Sequence, residues 1–218
     1  VLSKAECENL VAAAEATTDG VWERALVNIG GGAQAMIEDV RNCGRIIWDD
    51  RALMEKLWAR IEGAVPEIHR LEKWASVTGN GPVKRNEVWR VTRLNERGRF
   101  LKYVGGEYFK GTYAMVIALR MALHARFARF ADDTHPAHCD GTYETPDRKE
   151  RSYFTLHLYL NDTVGEDGQE ALVGGATTFY SWDMEKRLDV EPRCGRVLMF
   201  QLVGSNDRHH PIQPHKPG

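Results

Sequence analysis

The chain has 218 residues, which fits one large domain or two small ones and is ample for burying a core. Lys plus Arg number 29 against 31 Asp plus Glu, a formal net charge of −2, so no electrostatic footprint marks a nucleic-acid partner and none is expected. No apolar run approaches the ~18–20 residues that cross a bilayer, so the chain is expected to carry no membrane segment. Four cysteines, Cys7, Cys43, Cys139 and Cys194, are widely spaced without a C-x-x-C. That spacing suggests neither a disulfide scaffold nor a structural zinc site and favours a reducing, cytoplasmic setting. Val1 opens the chain directly in a helix-start pattern without Met, so a leader or anchor could precede it.

Ser3-Lys4-Ala5-Glu6 has the spacing of a capping box, with Leu2 placed as a staple, and predicts a helix from about Lys4 to Ala16. A second helix is expected near Ala33 to Arg41, after the Gly30-Gly31-Gly32 turn. The third is the clearest. Asp49 and Asp50 stand at its start, Leu53, Leu57 and Ile61 form one apolar stripe flanked by Met54 and Trp58, and Gly63 and Pro66 end it. The first third, residues 1–86, therefore reads as helical, its apolar stripes being most simply core.

From Glu87 the signal changes to short β-prone segments: Glu87 to Leu94, Arg99 to Val104, Ser152 to Leu160, Ala176 to Tyr180, Leu188 to Val190 and Gly195 to Leu202. In Ser152 to Leu160, strand alternation puts Phe154, Leu156, Leu158 and Leu160 on one face and Tyr153, Thr155, His157 and Tyr159 on the other. Such a strand suits a wall packed on helices outside and lining a polar cavity inside; a sheet with one solvated face reads equally well. Residues 111–137 do not match their neighbours. Ala114 to Phe130 is apolar and basic, has helical character, and looks inserted.

His138-Cys139-Asp140 is an H-x-D triplet. In an extended strand its imidazole and carboxylate project to one side and can grip a single ion, while Cys139 points to the opposite face as packing. Around it runs an ordered series: Leu94-Asn95-Glu96-Arg97, Arg99-Phe100-Leu101-Lys102-Tyr103 and Gly106-Glu107-Tyr108-Phe109-Lys110 before it. Leu158-Tyr159-Leu160-Asn161, Gly174-Gly175-Ala176-Thr177-Thr178-Phe179, Val190-Glu191-Pro192 and Gly195-Arg196-Val197-Leu198-Met199-Phe200-Gln201 come after. This series resembles the prolyl 4-hydroxylase-like branch of the iron(II)/2-oxoglutarate-dependent dioxygenases, and the resemblance spans nearly the whole chain, its N-terminal helices included.

The resemblance implies an α+β fold: a double-stranded β-helix, or jelly roll, with N-terminal helices packed on one side. Residues 1–86 would form the helical part, 87–204 the β-helix core with the atypical insert at 111–137, and 205–218 a divergent, truncated tail. It also implies a facial triad of two histidines and a carboxylate, which leaves iron positions open for cosubstrate and O2. On this sequence His138 and Asp140 would be iron ligands, and His209 or His210 the third. Tyr103 matches a family position near the cosubstrate, with Tyr159 a plausible second contact. No catalytic residue beyond the metal ligands is implied. The implied reaction couples conversion of 2-oxoglutarate to succinate and CO2 with hydroxylation of a protein or peptide side chain, proline foremost. Iron(II), 2-oxoglutarate and ascorbate are the implied cofactors.

Other roles for these residues are plainer. Tyr103 and Tyr159 could be packing, His157 could make an ordinary hydrogen bond, and His135 with His138 could make a minor zinc pair. Two departures from the family also stand out. In relatives the Phe-Lys segment runs almost directly into Pro-His-x-Asp. Lengthening that connection from about 5 to about 32 residues costs only ~1.6 kcal/mol of closure entropy, so the domain tolerates it. The inserted segment could be a lid, could shift His138 out of register, or could be retained untranslated sequence. Second, the strand that carries the basic partner of the cosubstrate's far carboxylate is absent, and Arg208 or Lys216 must substitute, since an unpaired buried carboxylate is costly. Three prolines in the last eight residues make the tail a loop. The competing reading is a catalytically inactive β-helix that binds a partner without a complete metal or cosubstrate site. A third is a small-molecule or nucleobase oxygenase on the same scaffold.

Overall fold

The computed structural model describes residues 1–30, 33–38, 41–104, 108–109, 119–120, 143–162, 176–180 and 186–202. It opens with α1 (Lys4–Ala16), capped as the sequence predicts. The Glu6 N–H donates to Ser3 Oγ at 3.3 Å and the Ser3 N–H to Glu6 Oε2 at 2.8 Å. Five short strands follow: β1 (Glu23–Arg24), β2 (Val27–Gly30), β3 (Ala33–Ala35), β4 (Arg41–Asn42) and β5 (Gly44–Asp49). Then α2 (Arg51–Ile61) begins where the Asp50 carboxylate accepts the Leu53 N–H at 2.9 Å. Two 3-10 turns, Glu62–Ala64 and Pro66–Ile68, take the chain from α2 to β6 (Arg70–Glu72). Next come α3 (Ala75–Thr78), α4 (Asn80–Lys84), β7 (Val88–Arg90), β8 (Arg97–Lys102), β9 (Tyr108–Phe109) and β10 (Leu119–Arg120). The remaining strands are β11 (Phe154–Leu158), β12 (Thr177–Tyr180), β13 (Arg187–Val190) and β14 (Val197–Gln201).

The first third is not helical throughout. Ala33 to Arg41, expected as a helix, instead contributes β3, which pairs with β2, and reaches β4; the Arg41 N–H donates to the Ile37 C=O at 2.9 Å. The antiparallel pairing of β2 with β3 outweighs the helix propensity of a short segment. Within residues 111–137, Leu119 and Arg120 are extended and pair with Leu156 and Thr155, whereas the sequence reads as helix there; the edge of β11 offers a ladder that local propensity cannot match. The rest of 111–137, and the tail 205–218, lie outside the described residues.

Every strand pair is antiparallel. Two three-stranded sheets carry the architecture, β1-β5-β8 and β10-β11-β14, and β8 runs alongside β10. The β11–β14 pair encloses, in chain order, the β12–β13 pair. Alternation then assigns the faces. Ile46 and Phe100 from the first sheet, and Phe154, Leu156 and Leu158 from the second, join Cys7, Leu10 and Ala14 of α1 and Met54, Leu57 and Ile61 of α2 in the main core. The predicted stripe of α2 is thus the buried one, with Leu53 and Trp58 packed at its margin. Gly98 of β8 lets α2 approach, because a Cβ there would stand 2.9 Å from the Met54 methyl. Ile68, Leu71 and Val77 extend this core, and Trp89 meets Tyr153 edge-on at 5.2 Å.

Candidate functional site

The opposite face of the same strands is a second, smaller cluster: Ala25, Cys43, Leu101 and Tyr159 are buried in it, with Tyr103, Val190 and Leu198 packed against it. Its composition follows from register. Arg45 pairs with Leu101 in β5–β8, so Cys43, Arg45, Leu101 and Tyr103 share the face that Ile46 and Phe100 leave. In β11–β14, Thr155 pairs with Phe200 and His157 with Leu198, and these four project away from the main core. The β12–β13 hairpin covers this face. Tyr159 Oη and Thr177 Oγ1 are hydrogen bonded at 2.6 Å, and Phe179 packs edge-on against Phe200 with centroids 5.3 Å apart. Phe200 in turn receives His157 edge-on at 4.7 Å.

The structure brings Tyr103 and Tyr159 to one cluster from sequence positions 56 residues apart. Burial raises both phenols above their ordinary value. For Tyr103 the nearby Cys43 thiol adds to the rise and the Arg41 guanidinium opposes it; for Tyr159 the Thr177 hydrogen bond opposes it, with a smaller contribution from Arg196. Both therefore stay neutral at physiological pH and keep an O–H that can donate to an anionic oxygen. His157 is buried on the same face, edge-on to Phe200.

Compared with protein-family models, curated proteins and solved structures, the chain matches none. Its functional reading therefore rests on its own residues.

Arg45 is the group that the sequence reading missed. It is only 7 % exposed, its Nε has no hydrogen-bond partner among the described residues, and its Nη2 stands 3.6 Å from the exposed carboxylate of Glu23. The signal was available in Gly44-Arg45-Ile46-Ile47-Trp48, where Arg45 has the opposite parity to Ile46 and Trp48. Placing a helix just before it hid that alternation. Thr177, Phe179 and Phe200 were within quoted motifs, but only the pairing of strands distant in sequence makes them neighbours of Tyr159 and His157.

His138, Asp140, Arg208, His209 and His210 lie outside the described residues, as do His135, Cys139, Gly174, Gly175 and Lys216. Among the described residues no group of three His, Cys, Asp or Glu side chains is placed to hold a metal, and no helix is long and apolar enough to cross a membrane. Two open grooves lie on the helix side. The larger, about 460 Å³, is lined by Arg51, Glu55, Trp58, Arg93 and Glu150, whose charges are paired with one another, so it reads as a solvated ion-pair surface. The other runs between α1 and α2.

Proposed function

We propose that this chain is an iron(II)- and 2-oxoglutarate-dependent dioxygenase resembling prolyl 4-hydroxylases, built on a double-stranded β-helix and hydroxylating a protein or peptide side chain, proline foremost. The observation that carries the reading is the second face: Tyr103 and Tyr159 pack in one cluster, and Arg45, Thr155 and His157 are buried on the same side of their strands, away from the helices. The nested antiparallel pairing of β11–β14 around β12–β13 supports the scaffold, since jelly rolls are made of such nested pairs.

The donor set His138, Asp140 and His209 or His210 has the chemistry of a facial triad and would hold iron(II). Iron(II) with 2-oxoglutarate supplies oxidative decarboxylation coupled to C–H hydroxylation, and ascorbate keeps the metal reduced. The chain's own part is to bind and shield. Tyr103 and Tyr159 donate to cosubstrate oxygens, Phe179 and Phe200 exclude water, and a cation answers the far carboxylate, for which the tail offers Arg208. The test is incubation of the full chain with Fe(II), 2-oxoglutarate and ascorbate against a broad panel of proline-containing peptides. Succinate release with a one-oxygen mass gain on a peptide is expected. Absence of succinate across the panel, with partner binding indifferent to iron chelation and to His138→Ala, favours the inactive binding module.

A further inference from the structure

Two cysteines far apart in sequence meet in the fold. Cys7, in the first turn of α1, is fully buried in the main core, and Cys194, in the connection from β13 to β14, packs half-buried against that same core. The backbone brings the two segments together. Gly195 has a φ of +73°, and a Cβ on it would stand 1.8 Å from the Leu2 carbonyl oxygen, so glycine alone lets the residues leading into α1 sit on this connection. Cys194 is held from its other side as well: its N–H donates to the Asp162 carboxylate at 2.9 Å and its thiol to the Leu160 C=O at 3.5 Å. The Cys7 and Cys194 side chains are hydrogen bonded to one another, and burial together with that contact pushes the Cys7 thiol up to about 12. Cys43 lies in the second cluster, on the other face of the sheet. Two thiols in contact, one of them with a route to solvent, form the arrangement that thiol–disulfide exchange needs.

We propose that Cys7 and Cys194 are a reversible thiol–disulfide pair, which a small-molecule disulfide oxidises so that α1 is stapled to the connection between β13 and β14. The exposures set the order of events. The half-buried Cys194, as its thiolate, attacks one sulfur of the small disulfide; that S–S bond breaks, and the departing thiolate takes up the proton that Cys194 gave. Cys7 then attacks the Cys194 sulfur of the mixed disulfide and expels the second small thiolate, which takes the Cys7 proton. Two protein thiols are oxidised to one disulfide, and one small disulfide is reduced to two thiols. Cys7 is closed to solvent, so its sulfur is reached through Cys194. A bond between segments so distant in sequence restrains the unfolded chain strongly and should raise the stability of the oxidised form.

The experiment incubates the folded full chain with oxidised glutathione, traps free thiols by alkylation and maps the peptides by mass spectrometry. A Cys7–Cys194 cross-linked peptide with the loss of two hydrogens is expected, reversed by dithiothreitol and accompanied by a higher urea midpoint. It should form roughly tenfold or more faster than in denaturing urea, because the fold rather than chance encounter holds the thiols together. Cys7→Ser should stop at a glutathione adduct on Cys194, whereas Cys194→Ser should leave Cys7 unmodified, a readout that stands even if Cys7→Ser does not fold. Cys43→Ser and Cys139→Ser should keep the cross-link. An unsubstituted chain that stays reduced, stops at an adduct on Cys194, or joins Cys194 to Cys43 or Cys139 overturns the proposal. So does a Cys7–Cys194 link that forms as fast in urea as in the folded chain, or a glutathione adduct on Cys7 in folded Cys194→Ser.

Discussion

The two faces of the central strands carry different chemistry although they are drawn from alternate residues of the same segments. Toward α1 and α2 stand Ile46, Phe100, Leu156 and Leu158, each no more than 1 % exposed and wholly apolar. Away from the helices stand Cys43, Arg45, Thr155, His157 and Tyr159, also buried but bearing a thiol, a guanidinium, a hydroxyl, an imidazole and a phenol. Burial of apolar surface stabilises by ~25 cal/mol per Å², whereas a buried polar group costs free energy unless it is bonded. A sheet selected for stability alone would have apolar residues on both sides. The second face instead buries groups that need hydrogen-bond partners.

Substitutions on the two faces should therefore behave differently. Leu156→Ala, on the helix side, is expected to cost about 2–5 kcal/mol, read as a lower urea midpoint at unchanged slope; a loss below ~1 kcal/mol would mean that this face is loosely packed. Tyr159→Phe strands the Thr177 hydroxyl and should cost about 1–3 kcal/mol, with Thr177→Val in the same chain restoring part of it; simple additivity of the two would break the link between β12 and β11. Asp50→Ala removes the α2 cap and should cost about 0.5–2 kcal/mol, read as a lower urea midpoint.

The smallest effect is a pH dependence at the α1–α2 surface. The hydrogen bond from Arg60, with further ones from Ser3, holds the Glu6 carboxyl down at about 2, against an ordinary value of 4.5. Because the folded value is the lower one, the contribution is complete above pH 4.5 and is lost as pH falls toward about 2. Glu6→Gln should flatten the acid limb of the stability curve in that window. High salt should erase the difference, since both side chains are exposed. A difference that persists in high salt would contradict a screened surface pair.

Local signals made part of this architecture legible. The capping box marked α1, Asp50 and the Leu53-Leu57-Ile61 stripe marked α2, and period-two alternation located β11 and its apolar face, although Tyr153, expected on the opposite face, packs in the main core against Trp89. What escaped was non-local. Ala33 to Arg41 has helix-favouring composition, but its Ala33–Ala35 pairs with β2, and Leu119 and Arg120 pair with the edge of β11. On the site side, Tyr103 and Tyr159 were singled out and do share a cluster, whereas Arg45 was passed over. Its meaning depends on burial and on Leu101 across the ladder, 56 residues away, and no local pattern reports that.

The central claim, that the polar face belongs to a metal-dependent cosubstrate site, is tested most directly by anaerobic Fe(II) uptake by the full chain with and without 2-oxoglutarate. The account predicts a single iron per chain, bound more tightly with 2-oxoglutarate and lost in His138→Ala. Negligible uptake, or uptake indifferent to both 2-oxoglutarate and His138→Ala, would contradict it.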